Sequence, residues 1–250
     1  MHRVTGKSSD CIGLRSQIGG YGALSPPGAG AGAYAHAMDL KDLRRDALKL
    51  ADWITVRSIA GVSPLSSASD LADRYLIDQG YASNDRRVDA LIRWETTKNF
   101  TAGFLTGLGG VLTLPIAVPG SVAASWLIQA RMAAAIAAIY GHDPRSDRVR
   151  TVVLLALVGD ASASKLLKGA GIALGRQAAL RAIERVGGRT LTEINREVGT
   201  QLIAKAGAKG AGAKGASKLV PIAGGVVSGA FDAVSCQLVG RCAKRLFRPE

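Results

Sequence analysis

Histidine, cysteine and aromatic side chains are scarce in this sequence. Its 250 residues include 3 His and 3 Cys, and aromatic residues make up 5%. Cys236 and Cys242 stand six residues apart, about 120° around a helix, so they do not converge on a metal ion. Cys11 lies far from both, and the few histidines leave too little material for a zinc site or a hydrolase triad. The sequence therefore predicts no metal site, no catalytic residues and a reduced environment.

Glycine patterns that cradle phosphate groups are also missing. Gly6-Lys7-Ser8 has no glycine five residues before it, and the run from Gly169 to Gly171 has neither the GxGxxG spacing nor a preceding strand. His142 and Asp143 lie in a predicted turn with no nucleophile indicated nearby. We therefore expect a protein that needs no cofactor and is not an enzyme.

Acidic residues are few relative to basic ones, and the imbalance is regional. Lys and Arg number 32 against 19 Asp and Glu, a net charge of +13. Residues 39–98 are neutral, whereas residues 99–250, the most apolar part, hold nineteen basic and eight acidic side chains. After Glu197 the only aromatic residues are Phe231 and Phe247, and nucleic-acid binders usually interleave basic and aromatic groups. The charge thus favours an anionic membrane surface over nucleic acid as the partner.

Hydrophobic periodicity divides the chain into a leader and one helical domain. Residues 1–37, rich in glycine and proline, predict a flexible leader without a secretory signal, and residues 38–250 predict the domain. Apolar residues three and four apart from Leu40 to Ile54 predict the first helix. Further helices are expected to start near Ser69, Asn84 and Ser146, and to span about 163–185, 189–206 and 219–246. No strand-like run finds a partner, so the predicted fold class is all-α, a compact multi-helix bundle.

The stretch from residue 99 to residue 130 carries no charged side chain. It exceeds the roughly 20 residues that cross a bilayer, but glycines weaken its first half, Pro115 and Pro119 interrupt it, and Arg131 follows. We predict a Gly/Pro-broken apolar hairpin of two helices, joined near 115–120 and buried in the bundle. A re-entrant or shallowly inserted hairpin is the alternative.

Basic side chains cluster near the C-terminus. Residues 205–218 read as a flexible Lys/Ala/Gly linker, and the last helix ends in a basic turn. The residues that we expect to contact an anionic surface are Lys205, Lys209, Lys214, Lys218, Arg241, Lys244, Arg245 and Arg248. The alternative for the same residues is a solvated basic surface.

Isolated polar residues stand inside apolar helices. They are Gln129, Arg131, Asp160, Asn195 and Asp232. A charge buried alone is prohibitive, so we expect these groups to form a polar core cluster, with Asp160 or Asp232 pairing Arg131. The cluster either fixes helix register or forms an ion or headgroup pocket.

Several short motifs, in order, resemble the EcsC family of bacterial proteins. They cover roughly residues 40–247 and include Thr106-Gly107-Leu108, Thr113-Leu114-Pro115, Gln129-Ala-Arg131, the run from Ile136 to Pro144, Leu157-Val158-Gly159-Asp160, Asn195 with Gly199, Lys218 to Gly225, Gly229 to Asp232, and Ala243 to Phe247. Gly109-Gly110 and Gly120-Ser121 depart from the expected pattern, the latter lacking an acidic residue. The resemblance implies an all-helical protein associated with membranes on their cytoplasmic side, in a family named for a gene beside an ABC exporter, and it supplies no catalytic residue.

Together these observations predict a non-enzymatic helical protein, peripheral or shallowly inserted at the inner face of the cytoplasmic membrane. Its partners would be the anionic membrane surface and a membrane transporter, and its role would be to modulate a transporter or envelope process. The alternatives are a nucleic-acid-binding module that uses the basic C-terminal half, and an enzyme of unrecognised type.

Overall fold

Apolar residues at helical spacing build the elements of this chain. The computed structural model describes residues 40–100, 120–172, 179–216 and 221–249, and within them it contains nine helices and no strand. The helices are α1 (Leu40–Ala60), α2 (Ala68–Ile77), α3 (Asn84–Phe100), α4 (Gly120–Ile139), α5 (Asp147–Val158), α6 (Asp160–Gly169), α7 (Ala179–Glu184), α8 (Gly188–Ala216) and α9 (Pro221–Phe247). The all-α prediction is confirmed. The predicted leader and residues 101–119 lie outside the described residues.

Helix boundaries follow capping chemistry, with one shift from the predicted start. The side chain of Ser67, not Ser69, caps α2: it accepts a hydrogen bond from the Asp70 amide, and the Asp70 carboxylate accepts one from the Ser67 amide. This reciprocal pair satisfies two amide groups that the first turn leaves without helical partners. Ser146 caps α5 as predicted, and Gly141, at a φ of 86°, follows the end of α4.

Helix α4 is the centre of the bundle. It packs against α1, α2, α3, α5 and α9, and residues 122–137 are all buried. By length and composition Val122–Ile139 is long and apolar enough to cross a membrane, yet 94% of it is buried by the other helices. Within the uncharged stretch, residues 122–130 are therefore bundle core.

The contacts of α4 define two ends of the bundle. Arg131 of α4 bonds Glu95 of α3, and the side chain of Asn84 donates to the carbonyl of Ile139, so α3 and α4 run antiparallel. Lys244 of α9 contacts Asp89 of α3, and Arg248, one residue after α9, contacts Asp85, so α9 is antiparallel to α3 as well. The C-terminus of α3 and the N-termini of α4 and α9 thus share one end, which we call the apolar end because the uncharged residues 101–119 connect there. The opposite end, at Asn84, Ile139 and Phe247, is the polar end.

Two predicted segment boundaries are wrong. The helix expected over 163–185 is divided, because Gly171 ends α6 with a φ of 76°, a left-handed conformation that favours glycine. The predicted linker is helical as far as Ala216, as the continuation of α8. Its Ala and Lys residues are good helix formers, and extending an existing helix avoids the cost of nucleation.

Candidate functional site

A buried ion pair joins α3 to α4. Arg131 Nη2 lies 2.9 Å from Glu95 Oε2, and both side chains are at most 5% exposed. Arg131 Nη1 donates to the carbonyl and the hydroxyl oxygens of Ser66, each at 3.3 Å. The prediction that Asp160 or Asp232 pairs with Arg131 is wrong, because Glu95 is the carboxylate that α3 brings to this position.

The other predicted polar residues do not assemble around Arg131. Gln129 Nε2 donates to the hydroxyls of Ser125 and Ser235, at 2.9 and 3.4 Å. Asp160 is not in the core: its side chain is 49% exposed and pairs with Arg245 at the surface. No hydrogen bond or ion pair within the described ranges joins two of the five predicted residues.

Asn195 and Asp232 are half-buried on α8 and α9. Asn195 Oδ1 is buried and has no hydrogen-bond partner among the described residues. The single polar core cluster expected from sequence is therefore two separate groups, one around Arg131 and one around Gln129, with the remaining three residues elsewhere.

The basic C-terminal turn is held by acidic residues of the same chain. Lys244 Nζ lies 2.6 Å from Asp89 Oδ1, and Arg248 Nη2 lies 2.6 Å from Asp85 Oδ2. Arg245 pairs with Asp160. Three of the residues expected to contact an anionic surface thus form ion pairs that join the C-terminal turn to α3 and α6.

Aromatic groups reinforce the same polar end. Tyr140 donates its hydroxyl proton to Asp85 Oδ1 at 2.6 Å. Burial, followed by this hydrogen bond and the charge of Asp85, raises the pKa of Tyr140. His142 Nε2 donates to the carbonyl of Phe247 at 2.9 Å, beside the Phe247 ring. These contacts give His142 a structural role at the end of α9.

The lysines of the predicted linker lie on α8. Lys205 is exposed and donates from Nζ to the carbonyl of Val158 at 3.0 Å, near the C-terminus of α5. The side chains of Lys209 and Lys214 lie outside the described part of the structure, as does the whole of Lys218.

Arg241 belongs to a different group, which the sequence did not reveal. With Arg86 and Arg93 of α3 it lines a cavity of about 270 Å³ between α3 and α9. The remaining lining residues are Asp89, Ile92 and Gln237. All three arginines are exposed, and no carboxylate of the described residues forms an ion pair with them. We call this cavity the arginine pocket.

The charge count did not indicate Arg86 and Arg93, because residues 39–98 are neutral as a whole. Their spacing of seven residues, two helical turns, places them on one face of α3. That spacing was the only signal in the sequence, and its meaning depends on α9 bringing Arg241 to the same face.

Exposed apolar side chains lie on the same two helices, α3 and α9. Trp94 of α3 is 57% exposed, and Val234 and Leu238 of α9 are 57% and 59% exposed. A second cavity, of about 330 Å³, is lined by Tyr75, Tyr81, Ala90, Arg93, Trp94 and Thr97, so it adjoins the arginine pocket at Arg93. We call the surface formed by these exposed side chains the α3–α9 face: Arg86, Arg93 and Trp94 of α3, and Val234, Leu238 and Arg241 of α9.

Within the described residues no group of three or more His, Cys, Asp or Glu side chains could hold a metal ion. Cys236 and Cys242 are buried, and burial raises the pKa of the Cys242 thiol to about 11. The fold and these contacts define an all-α bundle with a basic and apolar lateral surface.

The EcsC protein family matches residues 67–249, so the chain belongs to this family. The resemblance noted from sequence motifs is thereby confirmed. Comparisons with curated proteins and with solved structures find no match.

Proposed function

We propose that this EcsC family member is a non-enzymatic protein that binds the inner face of the bacterial cytoplasmic membrane through its α3–α9 face and modulates a transporter or another envelope process. The observation that carries the proposal is the make-up of that face. The two neighbouring antiparallel helices carry exposed arginines and exposed apolar side chains together, namely Arg86, Arg93 and Arg241 with Trp94, Val234 and Leu238.

This arrangement suits a bundle that lies flat on a bilayer. Arginine side chains at headgroup level attract anionic lipids, and each basic residue near such a surface contributes about 1 kcal/mol. Tryptophan is enriched at the membrane–water interface, where its ring is amphipathic. In the sequence, the uncharged residues 101–119 follow α3 directly.

Lateral docking differs from docking by the C-terminal turn alone. The polar end lies about 30 Å from the apolar end along α4, since 20 residues rise 1.5 Å each. A membrane reached only by Arg245 and Arg248 would miss the exposed Val234 and Leu238, which precede Arg245 by about two turns or more of α9. The α3–α9 face places basic and apolar groups on one surface instead.

Vesicle binding tests the proposal with an internal reporter. The chain has 3 Trp: Trp126 is 7% exposed, Trp53 is partly buried and Trp94 is 57% exposed. We expect the emission of the full chain to shift to the blue with vesicles containing phosphatidylglycerol and not with phosphatidylcholine alone, and Trp94→Phe to remove most of the shift. Recovery of the protein entirely in the soluble fraction with anionic vesicles at low salt would refute the proposal.

Salt and carbonate washes of cell membranes then separate the two ways of binding. Release by high salt indicates electrostatic docking, and resistance to carbonate indicates insertion of an apolar segment. Competition between anionic vesicles and DNA tests the nucleic-acid alternative, which requires that DNA displace the protein from vesicles.

A further inference from the structure

We infer that the arginine pocket is a binding site for a phosphate group, and that the phosphate is that of an anionic lipid headgroup. The assignment of the phosphate to a lipid rests on the proposed function, whereas the assignment of a phosphate site rests on the pocket alone.

The arginine pocket carries positive charge that its one acidic residue does not offset. Three arginines line one cavity, and the only acidic residue of the lining, Asp89, lies 2.6 Å from Lys244. Lys244 therefore offsets the charge of Asp89, and the three arginines repel one another unless an anion enters. Salt bridges hold most other C-terminal cations, which makes this group stand out by its lack of carboxylate partners within the described residues.

The kind of anion follows from the donors. Guanidinium groups present planar pairs of N–H donors that match the oxygens of phosphate, and Arg is preferred where such bidentate recognition matters. Gln237 adds an amide that can donate to a further oxygen. Three arginines and a glutamine offer more hydrogen-bond donors than a single carboxylate can accept. The several oxygens of a phosphate can accept more of them.

The size of the cavity limits the ligand. At about 30 Å³ per water molecule, the cavity of about 270 Å³ has room for a phosphate with a short polar substituent such as glycerol. Ile92 forms an apolar wall there. Gly240 permits the close approach of α9 to Ile92 of α3, because a Cβ at position 240 would stand 2.8 Å from Ile92 Cγ1.

The surroundings favour a lipid over a soluble phosphate or a nucleic acid. Arg93 also lines the aromatic cavity that contains Trp94 and Tyr81, and the aliphatic residues Val234 and Leu238 are exposed on the neighbouring helix. A lipid bound by its phosphate has glycerol and acyl groups that would extend over such a surface. A nucleic acid has no counterpart for the exposed aliphatic side chains.

Single substitutions test the pocket. Arg86→Gln, Arg93→Gln and Arg241→Gln each remove one charge from an exposed side chain, so the variants should fold like the wild type by circular dichroism and thermal unfolding. The matched control is Arg57→Gln, an exposed arginine on α1, which packs against α8 and α4. We expect each pocket variant to weaken binding to phosphatidylglycerol vesicles about five-fold, the change that corresponds to about 1 kcal/mol, and the control to change it less than two-fold.

Calorimetric titration with inorganic phosphate and with glycerol 3-phosphate separates the sources of the phosphate. Binding of glycerol 3-phosphate that the three pocket variants lose and the control keeps supports the phosphate site, and the same ranking on vesicles supports the lipid. Vesicle binding that is equal in all variants overturns the lipid source and leaves membrane binding by the apolar part of the α3–α9 face standing, and a wild-type chain that does not bind glycerol 3-phosphate overturns the phosphate site. Phosphate binding without any vesicle binding overturns the lipid source and the proposed function together, and DNA binding that depends on the pocket and exceeds vesicle binding overturns the lipid source.

Discussion

Gly199 of α8 lies against the backbone of Ala47 in α1. A Cβ at position 199 would stand 2.0 Å from the Ala47 carbonyl oxygen and 2.6 Å from its carbonyl carbon. No side chain can give way here, because the atoms in contact are backbone. The α1–α8 interface therefore depends on the absence of a side chain at this position.

Gly199→Ala is expected to lower the free energy of unfolding by about 3 kcal/mol or more, since the two helices must separate to accept the methyl group. Chemical denaturation measures the loss. Gly207→Ala is the control: it is also on α8, nothing lies within 4 Å of its added Cβ, and alanine is the better helix former by up to about 1 kcal/mol. Equal stability of the two variants would contradict the close approach.

Arg131→Met should destabilise the bundle by about 3–5 kcal/mol, because it leaves the Glu95 carboxylate in the core without its arginine. The double variant Glu95→Leu/Arg131→Met should recover most of this loss, since an apolar pair of similar volume replaces the buried ions. Arg45→Met is the control, because Arg45 pairs with Asp42 at the surface and is 62% exposed, so its loss should cost less than about 1 kcal/mol.

A stable Arg131→Met variant that no longer binds vesicles would contradict this structural role. It would show instead that the Arg131 group takes part in binding, the second of the two hypotheses that the sequence left open.

Ser67→Ala should lower stability by about 1 kcal/mol, because the first turn of α2 loses its side-chain cap. Ser69→Ala, two residues later inside the helix, should have little effect. Denaturant unfolding of the two variants compares them directly. A larger effect at Ser69 would place the cap where the sequence alone suggested it.

Tyr140→Phe should lower stability by about 1.5 kcal/mol near neutral pH, through loss of the hydrogen bond to Asp85. The substitution should also make the free energy of unfolding fall less steeply as the pH rises into the alkaline range. The pKa of Tyr140 is raised from its ordinary value of 10.0, so the unfolded state loses this proton at lower pH than the folded state. Its contribution is complete below pH 10 and is lost as the pH rises above that value.

Unfolding free energies measured at several pH values between about 9 and 11.5 test this sign, with the unfolded-state value of 10.0 as the onset. Burial, followed by the charge of Glu95, raises the pKa of Tyr75 to about 12. Tyr75 therefore leaves part of the alkaline loss of stability in the Tyr140→Phe variant. An unchanged slope in Tyr140→Phe would contradict the assignment.

Much of the fold could be predicted because burial follows helical spacing. Val88, Leu91 and Ile92, expected to face inward, are at most 5% exposed, and Leu191, Ile194, Val198 and Leu202 are at most 7% exposed. The linker prediction failed because glycine and lysine content was read without the helix that precedes it. Local composition does not tell whether a segment continues a helix that has already formed.

The site was harder to predict because charge counts ignore partners. Lys244 and Arg248 look like free cations in the sequence, yet Asp89 and Asp85, more than 150 residues away, pair with them. Arg86 and Arg93 belong to a region with no net charge, although they line the arginine pocket. Only the pairing of α3 with α9 distinguishes the engaged cations from the available ones.

Helix α1 precedes the segment that the EcsC family matches, and this sets the smallest fragment that can stand alone. Residues 67–249 match the family, but Ala47, Leu50, Ala51 and Ile54 of α1 are fully buried against the rest of the bundle. A fragment cut at residue 67 would open the apolar sides of α4 and α8 to water and should aggregate. The unit of folding, and of any expression experiment, therefore begins no later than Leu40.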